Sequence, residues 1–210
     1  MLFKISSHKD KFIDRCYSKA MKELKGFFNL DWKTNRPRII LVPDRKTIDG
    51  LRGEKTPRWL VGWLKSNNIF ILDRTNYEKE SSHKYSNEEY AKTIKHELAH
   101  AFYLIISGHK NQPDWLWEGT AMYLAKQVKK RKAGRPNNFK EFLLYFSKSG
   151  SGVYREAGEA VRFLAEAYGK RKLLLLIKLS KDVDTKEHFA KLFRRIYGFD
   201  LKYSSFEINN

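Results

Sequence analysis

Apolar residues recur at helical spacing near the start of the chain. Phe12, Ile13, Cys16, Tyr17, Ala20, Leu24 and Phe27 are separated by lysines and other polar residues, which predicts an amphipathic helix over residues 7–28. Arg36-Pro37 breaks that pattern. Arg38–Val42 is short, apolar and β-branched and ends at Pro43-Asp44, which predicts a strand. Residues 44–58 contain Gly50, Gly53 and Pro57 and read as a loop. Trp59–Lys65 and Asn68–Asp73 are two apolar runs separated by Ser66-Asn67, a β-hairpin signal. The polar stretch Asp73–Asn87 reads as a second loop.

From there the period is helical. Ile94, Leu98, Ala101, Phe102 and Ile105 form the buried stripe of a helix over about 87–107, with Asn87 as N-cap, Glu88 and Glu89 in the first turn, and Gly108 as the stop. Pro113-Asp114 opens another helix, Trp115–Lys132, with Asp114 as its N-cap and a break at Gly134–Asn138. Further helices are expected at Asn138–Ser147, Tyr154–Tyr168, Lys170–Ser180 and Thr185–Tyr197, jointed at Gly150–Gly152 and Gly169. An N-terminal helix, a small sheet over 38–73, and then helices through 114–200 make an α+β arrangement. At 210 residues this suits one domain spanning 1–210.

Composition narrows the setting. The longest apolar runs, Ala101–Ile106 and Leu173–Ile177, are far below the ~18 residues of a membrane-spanning helix. Met1–Asp10 has no apolar stretch of the signal-peptide kind, and Cys16 is the sole cysteine, so a cytoplasmic protein without an intramolecular disulfide is expected. Lys+Arg 42 against Asp+Glu 24 gives a net charge of +18. Most of that charge reads as a solvated surface. Its sharpest cluster, Lys126–Lys140, holds Lys126, Lys129, Lys130, Arg131, Lys132, Arg135 and Lys140 without an acid and offers a contact for a polyanion. Only Phe139 interleaves, so a base-stacking platform is not indicated.

The residues that carry chemistry are His96-Glu97-Leu98-Ala99-His100, an HExxH motif. A chain of this length and composition carries that pattern by chance about one time in a hundred, so its context decides. Here it lies inside a predicted long helix. Residues four apart are neighbours on a helix face, so both imidazoles can reach one zinc ion, while Glu97 is placed to work on a metal-bound water. A catalytic zinc needs a third protein ligand. His109, nine residues past His100, is one candidate. Glu118, in Trp115-Leu116-Trp117-Glu118-Gly119-Thr120-Ala121, is the better one, because a helix returning after a loop would bring its carboxylate to the metal. The metzincin pattern would need Gly at 103 and His at 106. Tyr103 and Ile106 stand there, which excludes that class.

These two segments resemble the gluzincins of the zincin-like MA clan, in particular peptidase MA-like domains and, more distantly, the aminopeptidase N family. The similarity covers about residues 38–180. The 17 residues between His100 and Glu118 are one fewer than in the aminopeptidases, a loop-length difference. The resemblance implies a zincin-like fold, Zn2+ held by His96, His100 and Glu118, Glu97 as general base, and hydrolysis of a peptide or protein substrate. It also implies an oxyanion donor in Tyr154, at the start of a helix after the third ligand. In zincins an edge strand beside the active-site helix binds extended peptide, so Trp59–Lys65 or Asn68–Asp73 is the expected edge, with Gly62 allowing close approach. The glutamate with which aminopeptidases recognise a free N-terminus is missing after Gly62-Trp63-Leu64, so aminopeptidase activity does not carry over. Two alternatives remain. One is a nucleic-acid-associated protease of SprT-like type, suggested by charge but lacking a zinc ribbon. The other is a non-catalytic zinc-binding interaction module, for which Glu97 would have no use.

Overall fold

A computed structural model describes residue 7 and residues 9–128, 139–147 and 153–206 of the chain. It is an α+β fold with one small mixed sheet and mostly helical content. The chain divides into two compact units, Met1–Gly26 with Leu30–Ala101, and Phe27–Asn29 with Phe102–Asn210.

The first unit holds the sheet. Helix α1 (Lys11–Phe28) starts later than residue 7, because the Asp10 carboxylate accepts from the Phe12 and Ile13 amides at 2.9 and 3.2 Å and fixes the N-terminus there. Strand β1 (Arg38–Val42) occupies the predicted span. The segment read as a loop over 44–58 instead contains helix α2 (Arg45–Arg52). Asp44 caps it through the Thr47 amide at 2.7 Å, and Gly53 ends it in the left-handed region at φ 75°. Gly50 inside the helix obscured both caps.

Strands β2 (Gly62–Lys65) and β3 (Asn68–Leu72) form the predicted hairpin. Ser66 and Asn67 both have positive φ, 49° and 60°, as a two-residue turn of the primed type requires. The order is β1-β3-β2, with β1 parallel and β2 antiparallel to β3, so β2 is an edge and β3 is central. Trp63 pairs with Phe70 on one face, their rings stacked at 4.8 Å. Gly62 pairs with the buried Ile71 on the other. The second segment read as a loop contains a 3-10 turn (Arg74–Asn76) and a short helix, α3 (Tyr77–Glu80).

Helix α4 (Asn87–Ile106) follows. Its cap is Ser86 rather than Asn87: the Ser86 hydroxyl accepts from the Glu89 amide at 3.1 Å and its carbonyl from the Tyr90 amide at 3.0 Å. Helix α1 lies along α4 through the Phe12–Tyr90 ring contact at 6.3 Å and the Glu23–Lys95 ion pair at 2.5 Å.

The second unit is helical. Helix α5 (Asp114–Leu124) has Pro113 as N-cap residue and Asp114 as its first turn, and it stops well short of Lys132. The stop is a left-handed Lys126 at φ 58°, with the Gln127 amide returning to the Met122 carbonyl at 3.0 Å. Without a glycine there, the sequence hides this terminus. Helices α6 (Val153–Tyr168), α7 (Lys170–Leu179) and α8 (Lys186–Tyr197) match expectation closely, with Thr185 capping α8. The helix expected over Asn138–Ser147 is absent among the described residues 139–147, where only a 3-10 turn, Phe142–Leu144, forms. The amides of Lys140, Glu141 and Phe142 donate instead to the Glu156 carboxylate of α6, at 2.8–3.2 Å. The carbonyls of Tyr145 and Phe146 accept from the first amides of α5. Trp115, Phe142, Phe189 and Phe206 form the aromatic core of this unit.

Candidate metal centre

Helix α4 carries His96, Glu97 and His100, all of them buried. The imidazoles of His96 and His100, one turn apart, stand with ring centroids 4.6 Å apart and planes at 88°. Glu118, also buried, lies in α5. One ligand atom from each of His96, His100 and Glu118 lies within 4.8 Å of the other two, a spacing at which a single metal ion could be held. Two imidazole nitrogens and a carboxylate oxygen are a suitable donor set for a divalent cation. Glu97 and Glu118 are both buried, and a divalent cation would offset the cost of holding such carboxyl groups as anions. His109, the other third-ligand candidate, is exposed at φ 68° in the turn that ends α4 and is not part of this group.

The local sequence explains why α5 presents Glu118. Gly108 and His109, both left-handed, end α4, and the His109 amide returns to the Leu104 carbonyl at 2.6 Å. Tyr103, the residue that breaks the metzincin pattern, is fully buried and meets Trp117 edge-to-face at 5.1 Å. That contact anchors α5 beside the residue preceding Glu118. On the next position, Gly119 sits against α6. A Cβ there would fall well inside van der Waals contact of the Ala157 carbonyl and 2.7 Å from Val161 Cγ2. Gly158 returns the favour, since its Cβ would lie 2.7 Å from Val128 Cγ2 and 3.1 Å from Met122 Cβ. The Glu-Gly pair at 118–119 therefore combines a carboxyl group of the candidate metal centre with a helix crossing that admits no side chain.

Glu97 has a neighbour in the edge strand. A Cβ on Gly62 would lie 3.1 Å from Glu97 Oε1 and 3.3 Å from its Cγ. The face of the sheet that carries Gly62 is thus turned toward the glutamate of the HExxH motif, and β2 carries no further strand on its outer side among the described residues. Tyr154 is half-buried in the first turn of α6. In the basic cluster, Lys126 and Lys140 are exposed, while Lys129, Lys130, Arg131, Lys132 and Arg135 lie outside the described residues, as do the joints at Gly134–Asn138 and Gly150–Gly152. No helix among the described residues is long and apolar enough to cross a membrane. Missed from the sequence was the polar scaffold around residues 45–83, whose arginine donors bind loop carbonyls and leave no periodic signal.

Comparison with known proteins returned no matching family model, no matching curated protein and no matching solved structure.

Proposed function

We propose that this chain is a zinc-dependent peptidase of gluzincin type with a zincin-like fold. The observation that carries the proposal is the buried His96–His100–Glu118 group on two helices, with Glu97 of the same motif standing against an edge strand. Two imidazoles and one carboxylate suit zinc and leave a coordination position open, which distinguishes a catalytic from a structural site. A bound zinc ion would supply Lewis acidity and bring the pKa of a water toward neutrality.

The chain's own residues divide the remaining work. His96, His100 and Glu118 hold the ion. Glu97 accepts a proton from the attacking water and delivers it to the leaving amine, a role that its burial beside the imidazoles favours. The outer side of β2 receives the substrate backbone as an added strand, and the missing side chain at Gly62 leaves room over Glu97. Tyr154 donates its phenol hydrogen to the oxygen on which negative charge develops.

Metal analysis and a peptide-library digest test the proposal. Wild-type protein should bind one zinc ion and cleave internal peptide bonds. Glu97→Gln should retain zinc and lose turnover by at least about a hundredfold; retained turnover would refute the assignment of the base. His100→Ala and Glu118→Ala should lose zinc, and stoichiometric metal in either would refute the ligand set.

A further inference from the structure

The outer face of α1 carries its basic residues in a row. Lys11, Arg15, Lys19 and Lys22 follow one another at intervals of four, four and three residues, and all four are exposed. They lie on the side of the helix opposite Ile13, Ala20 and Leu24, which are buried. At about 1.5 Å of rise per residue the row runs for about 16 Å along the helix. Arg15 Nε donates to the Lys11 carbonyl at 3.1 Å. No ion pair joins any of the four to an acid among the described residues. The nearby acids have other partners. Asp10 caps α1 and pairs with Arg74 at 3.0 Å, Glu23 pairs with Lys95, and Asp31 pairs with Lys25 and Lys33. Asp14 is the one acid of the helix without such a pair among the described residues. Helix α4 provides the contrast of a balanced exposed face, with Lys92 paired to Glu88 at 2.8 Å and to Glu89 at 2.7 Å.

Like charges one turn apart repel, so this row lowers the stability of the helix rather than raising it. It suits a partner with repeating negative charge, and the chemistry of the face selects among polyanions. A bilayer surface is gripped by apolar side chains that enter it beside the basic ones. A folded acidic protein is gripped through an apolar or aromatic centre. The large apolar side chains exposed among the described residues are Trp59, Leu144, Tyr168 and Leu175, and none of them lies on α1. A single strand would stack its bases on aromatic rings, and the row contains none. A duplex backbone needs neither, because cations that meet successive phosphates hold it. We infer that the outer face of α1 binds the sugar–phosphate backbone of a double-stranded nucleic acid without reading its sequence, Lys11, Arg15, Lys19 and Lys22 each meeting a phosphate. None of these residues belongs to the metal centre, so the inference is independent of the peptidase reading.

The test measures binding of the full chain to a labelled mixed-sequence DNA duplex, by fluorescence anisotropy over a series of salt concentrations. A net charge of +18 attracts any polyanion, so the control carries the same charge change elsewhere. One variant combines Lys11→Gln, Arg15→Gln, Lys19→Gln and Lys22→Gln. The control combines Lys178→Gln, Lys181→Gln, Lys186→Gln and Lys191→Gln, at exposed positions of the second unit. Wild type should bind with an affinity that falls steeply as salt rises. The row variant should lose at least about tenfold in affinity at fixed salt, with a log–log salt slope shallower by about 3–4, and the control should stay within about threefold of wild type. Each single substitution in the row should remove about one unit of slope, and these variants decide the matter if the quadruple one does not fold. Lys11→Arg, Lys19→Arg and Lys22→Arg together should bind as wild type does. Equal losses in the row variant and the control overturn the inference and leave net charge as the cause. So does the absence of duplex binding at low salt, including the case in which vesicles of phosphatidylcholine and phosphatidylserine bind in a row-dependent manner instead. Zinc content and peptide cleavage should be the same in the row variant and wild type, so either result leaves the peptidase reading to its own test.

Discussion

Gly62 and Glu97 are in close apposition: a methyl group at residue 62 would lie 3.1 Å from Glu97 Oε1. The glycine therefore sets the space in which that carboxylate sits. Gly62→Ala should displace the carboxylate by a few tenths of an ångström and lower kcat by about tenfold, with zinc content unchanged, and Gly62→Val should do more. Steady-state kinetics with parallel metal analysis separates this from loss of the site.

Gly119 tests how firmly the third-ligand helix is seated. Gly119→Ala drives a methyl into the Ala157 carbonyl and to 2.7 Å from Val161 Cγ2. Overpacking of this kind costs about 1–3 kcal/mol. A lower denaturation midpoint should come with weakened zinc affinity, because the adjoining Glu118 is displaced with the backbone. Unchanged metal affinity in a destabilised Gly119→Ala protein would separate the crossing from the site.

The Glu156 carboxylate is the shared acceptor for the amides of Lys140, Glu141 and Phe142. Glu156→Ala should cost about 2–3 kcal/mol by leaving those donors without it, and Glu156→Gln roughly half as much. Because the carbonyls of Tyr145 and Phe146 hold the first amides of α5, hydrogen exchange at Asp114 and Trp115 should rise in the alanine variant. Protection there equal to wild type would show that the segment is held by its aromatic residues alone.

Acid should loosen α2 and the loop after it. Asp44 is held below the usual aspartate range by hydrogen bonds from the Thr47 amide, and Asp49 by those from the Thr56 hydroxyl and amide. Carboxyls depressed in the folded state contribute stability that is complete above the ordinary aspartate value of about 3.9 and is lost as pH falls below it through the folded values. Exchange at Thr47 and Thr56, corrected for the intrinsic rate, should therefore accelerate below about pH 4. No change over that interval would refute the role of these two carboxylates.

The readable parts of this fold were those with a period or a matching cap. The α4 stripe Ile94, Leu98, Ala101, Phe102 and Ile105 and the Ser66-Asn67 hairpin each fix spacing in the chain, and the structure follows them. His96, His100 and Glu118 were legible as a candidate group because metal ligation would constrain residue type as well as spacing, and one potential ligand atom from each lies within 4.8 Å of the other two. What escaped was structure decided by distant partners. Residues 139–147 give their backbone groups to Glu156 and to α5 rather than to one another. The end of α5 depends on a left-handed lysine, a residue that seldom signals a stop. Helix α2 is short and interrupted by Gly50, so its caps are its main local evidence.

The crossing of α5 and α6 at Gly119 and Ala157 is made by backbone against backbone. Side chains can rotate to absorb a disturbance, but main-chain atoms in contact transmit it. Glu118 is one residue from that crossing on α5, and Tyr154 is three residues from it on α6. Under the proposed function, an ion that displaced Glu118 would therefore disturb the helix that carries Tyr154 as well.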